Sequence, residues 1–289
     1  MKKYFFIITI LSFVFSFSVL KAQNFFSYLS SLKIPHQLEF CGEKIPLDIP
    51  EVKERAEREF YLLLQQPGQI ILYIKRSGRY FPMYERIIKE KNLPDDLKYL
   101  SVAESALYMS RSSKGAVGLW QFMPGTARSY GLQVDDYVDE RRQPEKSTDA
   151  ALEYLKDGFN QHKSWLLSAA GYNMGNTNVA SHLDFQNGNT FFDLFLNEET
   201  SRYILRIVVV KEIMSNPEKY GFRISQNDKY KPDNVKYIEC AEEIPNLSKW
   251  ASDQGTTYKD VKLLNPWILD KKLPKPAKGK VYRIGVPGR

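Results

Sequence analysis

The sequence predicts an α+β protein that is predominantly α-helical, a long helical body followed by a small βααβ module. Three observations carry this. From about residue 50 to residue 215, apolar residues recur at steps of three and four, the period of helices buried along one face. Residues 226–234, QNDKYKPDN, form a polar break containing Pro232. Beyond it, 235–239 and 280–286 read as strands enclosing two short helical stretches at 247–252 and 258–264.

At the N-terminus, Lys2 and Lys3 precede an apolar run over residues 4–20, and Ala22 offers a small residue at a junction. This pattern predicts a secretory signal peptide over 1–22, cleaved after Ala22, and hence an exported chain. A retained membrane anchor is the competing reading, because the run approaches a bilayer's thickness. No cysteine at the junction offers a site for lipid attachment. Removing three lysines and no acid lowers the formal net charge from +7 to +4. That mild excess suits an anionic wall or membrane surface, and no basic run interleaved with aromatics points to nucleic acid. Cys41 and Cys240 lie 199 residues apart in different predicted units, which argues against a bridge. His36, His162 and His182 lack any ligand spacing, so no metal or other cofactor is expected.

The elements follow in order. Pro35, Pro46 and Pro50 make 24–49 an extended strap. Val52, Ala56, Glu59, Phe60 and Leu63 mark a helix ended by Pro67 and Gly68. A second helix, with Ile70, Ile71 and Ile74, is predicted to stop near Ser77 and Gly78. A third follows Pro82 with Tyr84, Ile87 and Ile88, and closes at Asn92. Pro94, Asp95 and Asp96 suit the start of the next helix. Along it Leu97, Leu100, Glu104 and Leu107 share one face, so an acid points inward where the pattern calls for an apolar residue. Burial would raise its pKa and make it a general acid near neutral pH; a Glu paired with Lys or Arg from another helix explains the same pattern.

Residues 110–118 read as a loop, and Gly115 and Gly118 bracket a short turn or small sheet leading to Trp120, a core residue on this reading. Pro124 starts a helix that Gly131 stops. The run DDYVDERR at 135–142 is predicted to be a solvated face with internal ion pairs, not a source of a second catalytic acid. Ser147 is predicted to cap a helix carrying Ala151, Leu152, Leu155 and Phe159. Residues 165–170 then present Tyr172 and Asn173, and 198–215 form a long helix with Ile204, Ile207, Val208 and Ile213 inward.

Three of these stretches resemble, in order, the motifs of the family 1 lytic murein transglycosylases. They are ES at Glu104 and Ser105, SKGAVGLWQFMP at 113–124, and AAGYNMG at 169–175. The resemblance covers about 80–222 and implies a lysozyme-like fold and cleavage of the MurNAc–GlcNAc β-1,4 bond of peptidoglycan. It implies that Glu104 is the sole catalytic acid and base, that Ser113 and Tyr172 stand close to it, and that Gln121 and Met123 line the sugar groove. Asn173 is expected to support local backbone at that groove. The ETSRY segment resembles that of the membrane-bound lytic murein transglycosylase D branch, which gives Glu199 a place on the groove's rim. Residues 235–287, with KLLNPWI at 262–268, resemble a LysM glycan-binding module, but CAEEIP at 240–245 replaces the usual GD-T segment and puts its affinity in doubt.

The predicted organisation is a signal peptide over 1–22, an N-terminal strap with helices over 23–78, a lysozyme-like transglycosylase domain over 79–225, a linker over 226–234 and a LysM-like module over 235–289. The expected partner is the peptidoglycan glycan strand, in the periplasm or envelope of a bacterium, with association to a membrane surface allowed by the charge. A glycosidase normally needs two carboxylates. These motifs offer one, so the substrate's own 6-hydroxyl is the expected nucleophile and 1,6-anhydromuramoyl ends the expected product. A goose-type lysozyme hydrolase and a catalytically silent wall-binding protein are the alternatives.

Overall fold

A computed structural model describes residues 27–288; the predicted signal peptide lies outside them. The chain forms a helical body and a two-stranded, two-helix module, each with its own apolar cluster. A short hairpin, β1 (Glu39–Phe40) with β2 (Glu43–Lys44), ends the strap. It is tied to the body by Glu43, whose carboxylate accepts from the backbone of Trp165 and from the Ser164 hydroxyl at 2.6 Å. Next come α1 (Pro50–Leu64), α2 (Pro67–Glu90) and α3 (Lys98–Ser105). They are followed by α4 (Pro124–Ser129), α5 (Pro144–His162), α6 (Trp165–Met174), α7 (Asn176–Gln186) and α8 (Glu198–Ser215). Helix α6 is buried almost all round and packs against α5, α7 and α8. Helix α8, opened by Asn197 accepting from the Thr200 amide, packs against α1, α3 and α6 and closes the core.

The predicted break at Ser77 and Gly78 is absent, because α2 runs unbroken through both Gly78 and Pro82. Pro82 lacks the amide that would bond Gly78, a loss of one helical hydrogen bond that the flanking packing absorbs. Gly78 has another use. A Cβ there would lie 2.6 Å from Lys229 Cβ and 2.8 Å from the Tyr230 carbonyl, so only glycine lets 229–230 lie against the helix. The Tyr230 amide donates to the Lys75 carbonyl at 2.9 Å, which fastens the segment between body and module to the body. Ser147 does not cap α5 either: it sits buried inside the first turn, and Gln143 accepts from the Lys146 amide.

The module follows its predicted order, with β3 (Val235–Cys240) antiparallel to β4 (Tyr282–Pro287) and α9 (Leu247–Asp253) and α10 (Tyr258–Leu264) between them. Cys41 and Cys240 are both free. In the run 135–142, Asp135 and Asp136 are solvated and the expected internal ion pairs form, but 137–141 are the seam between body and module. Asp139, Glu140 and Arg141 are buried, and Arg141 clamps Asp139 at 2.8 and 2.9 Å while donating to the carbonyls of Gly115 and Phe122. Paired charges and backbone acceptors meet here, which is how charged groups tolerate burial. Asp139 N donates to Trp267 O, and Leu269 N to Tyr137 O, so 137–139 pairs with the module as a strand would. Val138, fully buried, belongs to the module's apolar cluster although the body supplies it.

Val138→Asp is therefore expected to put an unpartnered carboxylate into the module's core and weaken the seam by about 3 kcal/mol or more. Limited proteolysis should cut within 226–234 faster than in the parent. An unchanged cutting rate would refute the contribution of Val138 to the module.

Candidate active site

The inward acid is where the helical period puts it. Glu104 is the penultimate residue of α3, which ends because Ala106 and Leu107 take left-handed conformations at φ 57° and 53°. Leu107 thus leaves the helix yet is still buried, so its place on the stripe is filled from the turn. The Glu104 carboxyl lies deep among protein atoms at the floor of an open cleft of about 580 Å³. Burial raises its pKa from the ordinary carboxylate range to about 7, opposed by a hydrogen bond from Tyr203 and by the Arg206 charge. The position near the carbonyl end of α3 also disfavours negative charge.

The turn that carries Trp120 and Gln121 is built by close approach. Gly118 has φ 92° and presses on the Arg141 carbonyl, leaving no room for a side chain. Val117 and Phe122 exchange backbone hydrogen bonds at 3.1 Å to close it. From α3, the hydroxyls of Ser101 and Ser105 both donate to Leu119 O, at 2.9 and 2.8 Å, locking turn and helix together. Trp120 is completely buried, its indole donating to Thr148 at 2.9 Å, which makes it a core residue. Gln121, at φ 49°, donates to Gly118 O at 2.8 Å and to Ser110 and borders the cleft.

The cleft brings together Glu104, Ser113, Gln121, Met123, Tyr172, Asn173 and Glu199. Ser113 is exposed and Met123 is 45% exposed, both open to a ligand. Tyr172 does not bond the carboxyl. Its hydroxyl donates to Trp120 O at 2.8 Å, and its ring packs edge-on against Phe122 and Tyr154. Asn173 accepts from the Thr200 hydroxyl at 2.8 Å, joining α6 to α8. Glu199 lies on the rim, 3.8 Å from Lys114, and both side chains are well exposed.

The phenol that reaches Glu104 belongs to Tyr203, whose hydroxyl donates to Oε1 at 2.6 Å from the buried face of α8. Sequence reasoning singled out Glu199 from the ETSRY segment and gave Tyr203 no role. The available signal was its spacing: Glu199, Tyr203 and Arg206 are four and three residues apart, so a helix that places Glu199 on the cleft places the other two there as well. Arg206 is held in turn by Glu59, a buried carboxylate on α1 that also binds Arg202 at 2.6 Å.

A hydrogen bond donated to a carboxylate favours its charged form, so Tyr203→Phe should raise the Glu104 pKa further, by about one unit. Tyr172→Phe should leave it within a few tenths. Carbon-13 titration of the Glu104 carboxyl reads both, and a larger shift in the Tyr172 variant would reverse the assignment.

Residues 83–192 match the family model of the transglycosylase SLT domain, and 236–289 match that of the soluble lytic transglycosylase C-terminal LysM-like domain. The chain is similar to membrane-bound lytic murein transglycosylase D of Escherichia coli K12, 29% identical over 240 residues that make up 79% of this chain and 51% of that protein. It therefore spans about half the length of that relative. A putative tributyltin chloride resistance protein of an Alteromonas species is 34% identical over 111 residues, 36% of this chain and 53% of that one. Among solved structures, the 70 kDa soluble lytic transglycosylase of Escherichia coli matches with a TM-score of 0.41 and 22% identity, over 53% of this chain and 27% of that one. On the two family matches, the helical body of this chain holds a transglycosylase SLT domain, and the module behind it is a LysM-like domain of the soluble lytic transglycosylase type.

Proposed function

We propose that this chain is a peptidoglycan lytic transglycosylase of the bacterial envelope, cleaving the MurNAc–GlcNAc β-1,4 bond and leaving 1,6-anhydromuramoyl ends. The observation that carries the reading is Glu104, an acid whose pKa of about 7 lets it both give and take a proton near neutrality, in a cleft sized for a saccharide. Similarity to a murein transglycosylase over most of the chain supports the substrate.

Glu104 protonates the glycosidic oxygen as the C1–O bond breaks. The resulting carboxylate then takes the proton of the muramoyl 6-hydroxyl, whose oxygen closes on C1, so no water is consumed. Holding that hydroxyl beside C1 gives it the advantage of an intramolecular reaction. Among the described residues Glu199 is the other carboxylate bordering the cleft, and its exposure and the nearby Lys114 favour a charged rim residue over a buried nucleophile. Tyr203 bonds the carboxyl oxygen that need not carry the proton, so it can hold the group's orientation through both steps. Ser113, Gln121 and Asn173 offer polar contacts to sugar hydroxyls, Met123 an apolar one, and Tyr172 a rigid wall.

Digesting purified sacculi and weighing the soluble fragments tests the reaction. Anhydromuramoyl products, one water lighter than lysozyme fragments, are expected; mainly reducing muramoyl ends would make the protein a hydrolase and direct attention to Glu199. Glu104→Gln should lower cleavage by at least about a thousandfold, since the amide keeps the acceptor for Tyr203 but supplies no proton. The cleavage rate should fall as pH rises past about 7, where the acid loses its proton.

The same shift bears on stability. The folded state binds the extra proton between the ordinary value of 4.5 and about 7, so the contribution of Glu104 declines across that window and stays low above it. Glu104→Gln should match the parent near pH 4 and exceed it by on the order of 3 kcal/mol at pH 8 in denaturant titrations. Parallel stability curves across that range would show that Glu104 is not shifted.

A further inference from the structure

A groove of about 750 Å³ runs along the seam between body and module and shares no lining residue with the Glu104 cleft; its walls come from α2, the 107–109 turn, 143–145, the 230–237 segment, the end of α10 and β4. Its exposed aromatics are each matched with a guanidinium. Arg76 lies over Tyr108 at 5.1 Å, Arg79 over Tyr230 at 5.7 Å, and Arg283 over Tyr237 at 4.8 Å from the ring centroids. Tyr108 and Tyr237 remain 59% and 47% exposed, too open to be core residues.

The charges do not balance inside the groove. Of its two acids, Glu145 pairs with Arg86 and Asp233 faces Arg79 at 4.0 Å. The Lys262 ammonium is taken up by the carbonyls of Ile268 and Leu269. Among the described residues no ion pair within 4 Å closes on Arg76, on the body, or on Arg283, on the module, which has Glu239 opposite it in the strand register. Arg76 gives one donor to Ala106 O at 3.0 Å, which fixes its head without neutralising it. A guanidinium stacked on a ring keeps its in-plane N–H groups directed outward, the geometry that receives a carboxylate. Each wall of the groove thus presents one such cation to whatever lies between them.

We infer that the seam groove is a second binding site for the substrate strand, taking the carboxylates of its peptide stems while the glycan continues into the cleft. This rests on the proposed cleavage of peptidoglycan and adds a preference for stem-bearing strands. The two sites share one loop: Met109 lines the groove and Ser113 the cleft, and four residues of chain span at most about 14 Å. A strand of several sugars reaches both, and a short fragment reaches only one. Linking two weak contacts along one strand raises its affinity without a new contact in the cleft.

The test uses the full chain carrying Glu104→Gln, so that strands stay intact and the result does not depend on whether or how the protein cleaves. Into this background go Arg283→Gln with Tyr237→Ser, both on exposed positions of the paired strands, and separately Arg76→Gln. Affinity is measured by calorimetry for long uncross-linked strands with stems, for the same strands freed of stems by an amidase, and for disaccharide-peptide fragments. Both variants should bind long stem-bearing strands at least about fivefold more weakly, with fragments unaffected and with a smaller dependence on salt than the unsubstituted background. Unchanged affinity for stem-bearing strands in both variants overturns the site. An equal loss on stem-free strands overturns the assignment to carboxylates.

Discussion

The arrangement of this molecule depends on holding one carboxyl group in a place that disfavours its charge while keeping it within reach of solvent. Glu104 sits near the carbonyl end of a short helix, against the apolar core, and the bond from Tyr203 and the charge of Arg206 only partly offset the loss of water. Each of those counterweights comes from α8, and α8 is placed by α1, α3 and α6. The burial of Glu59 belongs to the same balance: it gathers Arg202 and Arg206 so that the cation nearest Glu104 is held aside instead of forming a direct ion pair. A closer pairing would drive the pKa down and leave a permanent carboxylate, unable to donate a proton near neutrality.

The cleft's other wall is rigid for a complementary reason. The turn 117–122 is held by two serine hydroxyls from α3, by the Arg141 side chain and by the Tyr172 phenol, all directed at its backbone. Backbone acceptors satisfied in this way cannot reorganise toward solvent without leaving buried groups unpaired. The side chains that face the cleft therefore stand on a support fixed from several elements, and the same Arg141 that braces the turn lies beside the seam with the module.

What was legible in the sequence was whatever depends on period and local chemistry. The inward position of Glu104, the burial of Trp120, the boundaries of α8 and the order of the module follow from spacing and from helix starts and stops. Tyr203 lay within the ETSRY segment that the resemblance sets at the groove, but spacing along one helix cannot show that its phenol ends against a carboxyl 99 residues away. Tyr172 was set near the acid by resemblance and does line the same cleft, but its hydroxyl bonds the Trp120 carbonyl and leaves the carboxyl to Tyr203. The charge run at 135–142 misled in part: internal ion pairs were expected, but counting charges cannot show that the Asp139–Arg141 pair is buried, with Val138 beside it, against a module 130 residues further on. At Gly78 the residue looked like a helix stop, and its real purpose lies in a contact with 229–230.

Val138 also has a consequence for the chain as it is made. Helix α8, the last of the body, ends at residue 215, whereas the strand-like edge at 137–139 finds its partners only in 267–269. Until then a folded body carries an apolar side chain and open backbone groups on its surface, the features through which chains associate wrongly. The LysM-like domain, whatever else it holds, is in this sense the cover for an edge that the body cannot close by itself.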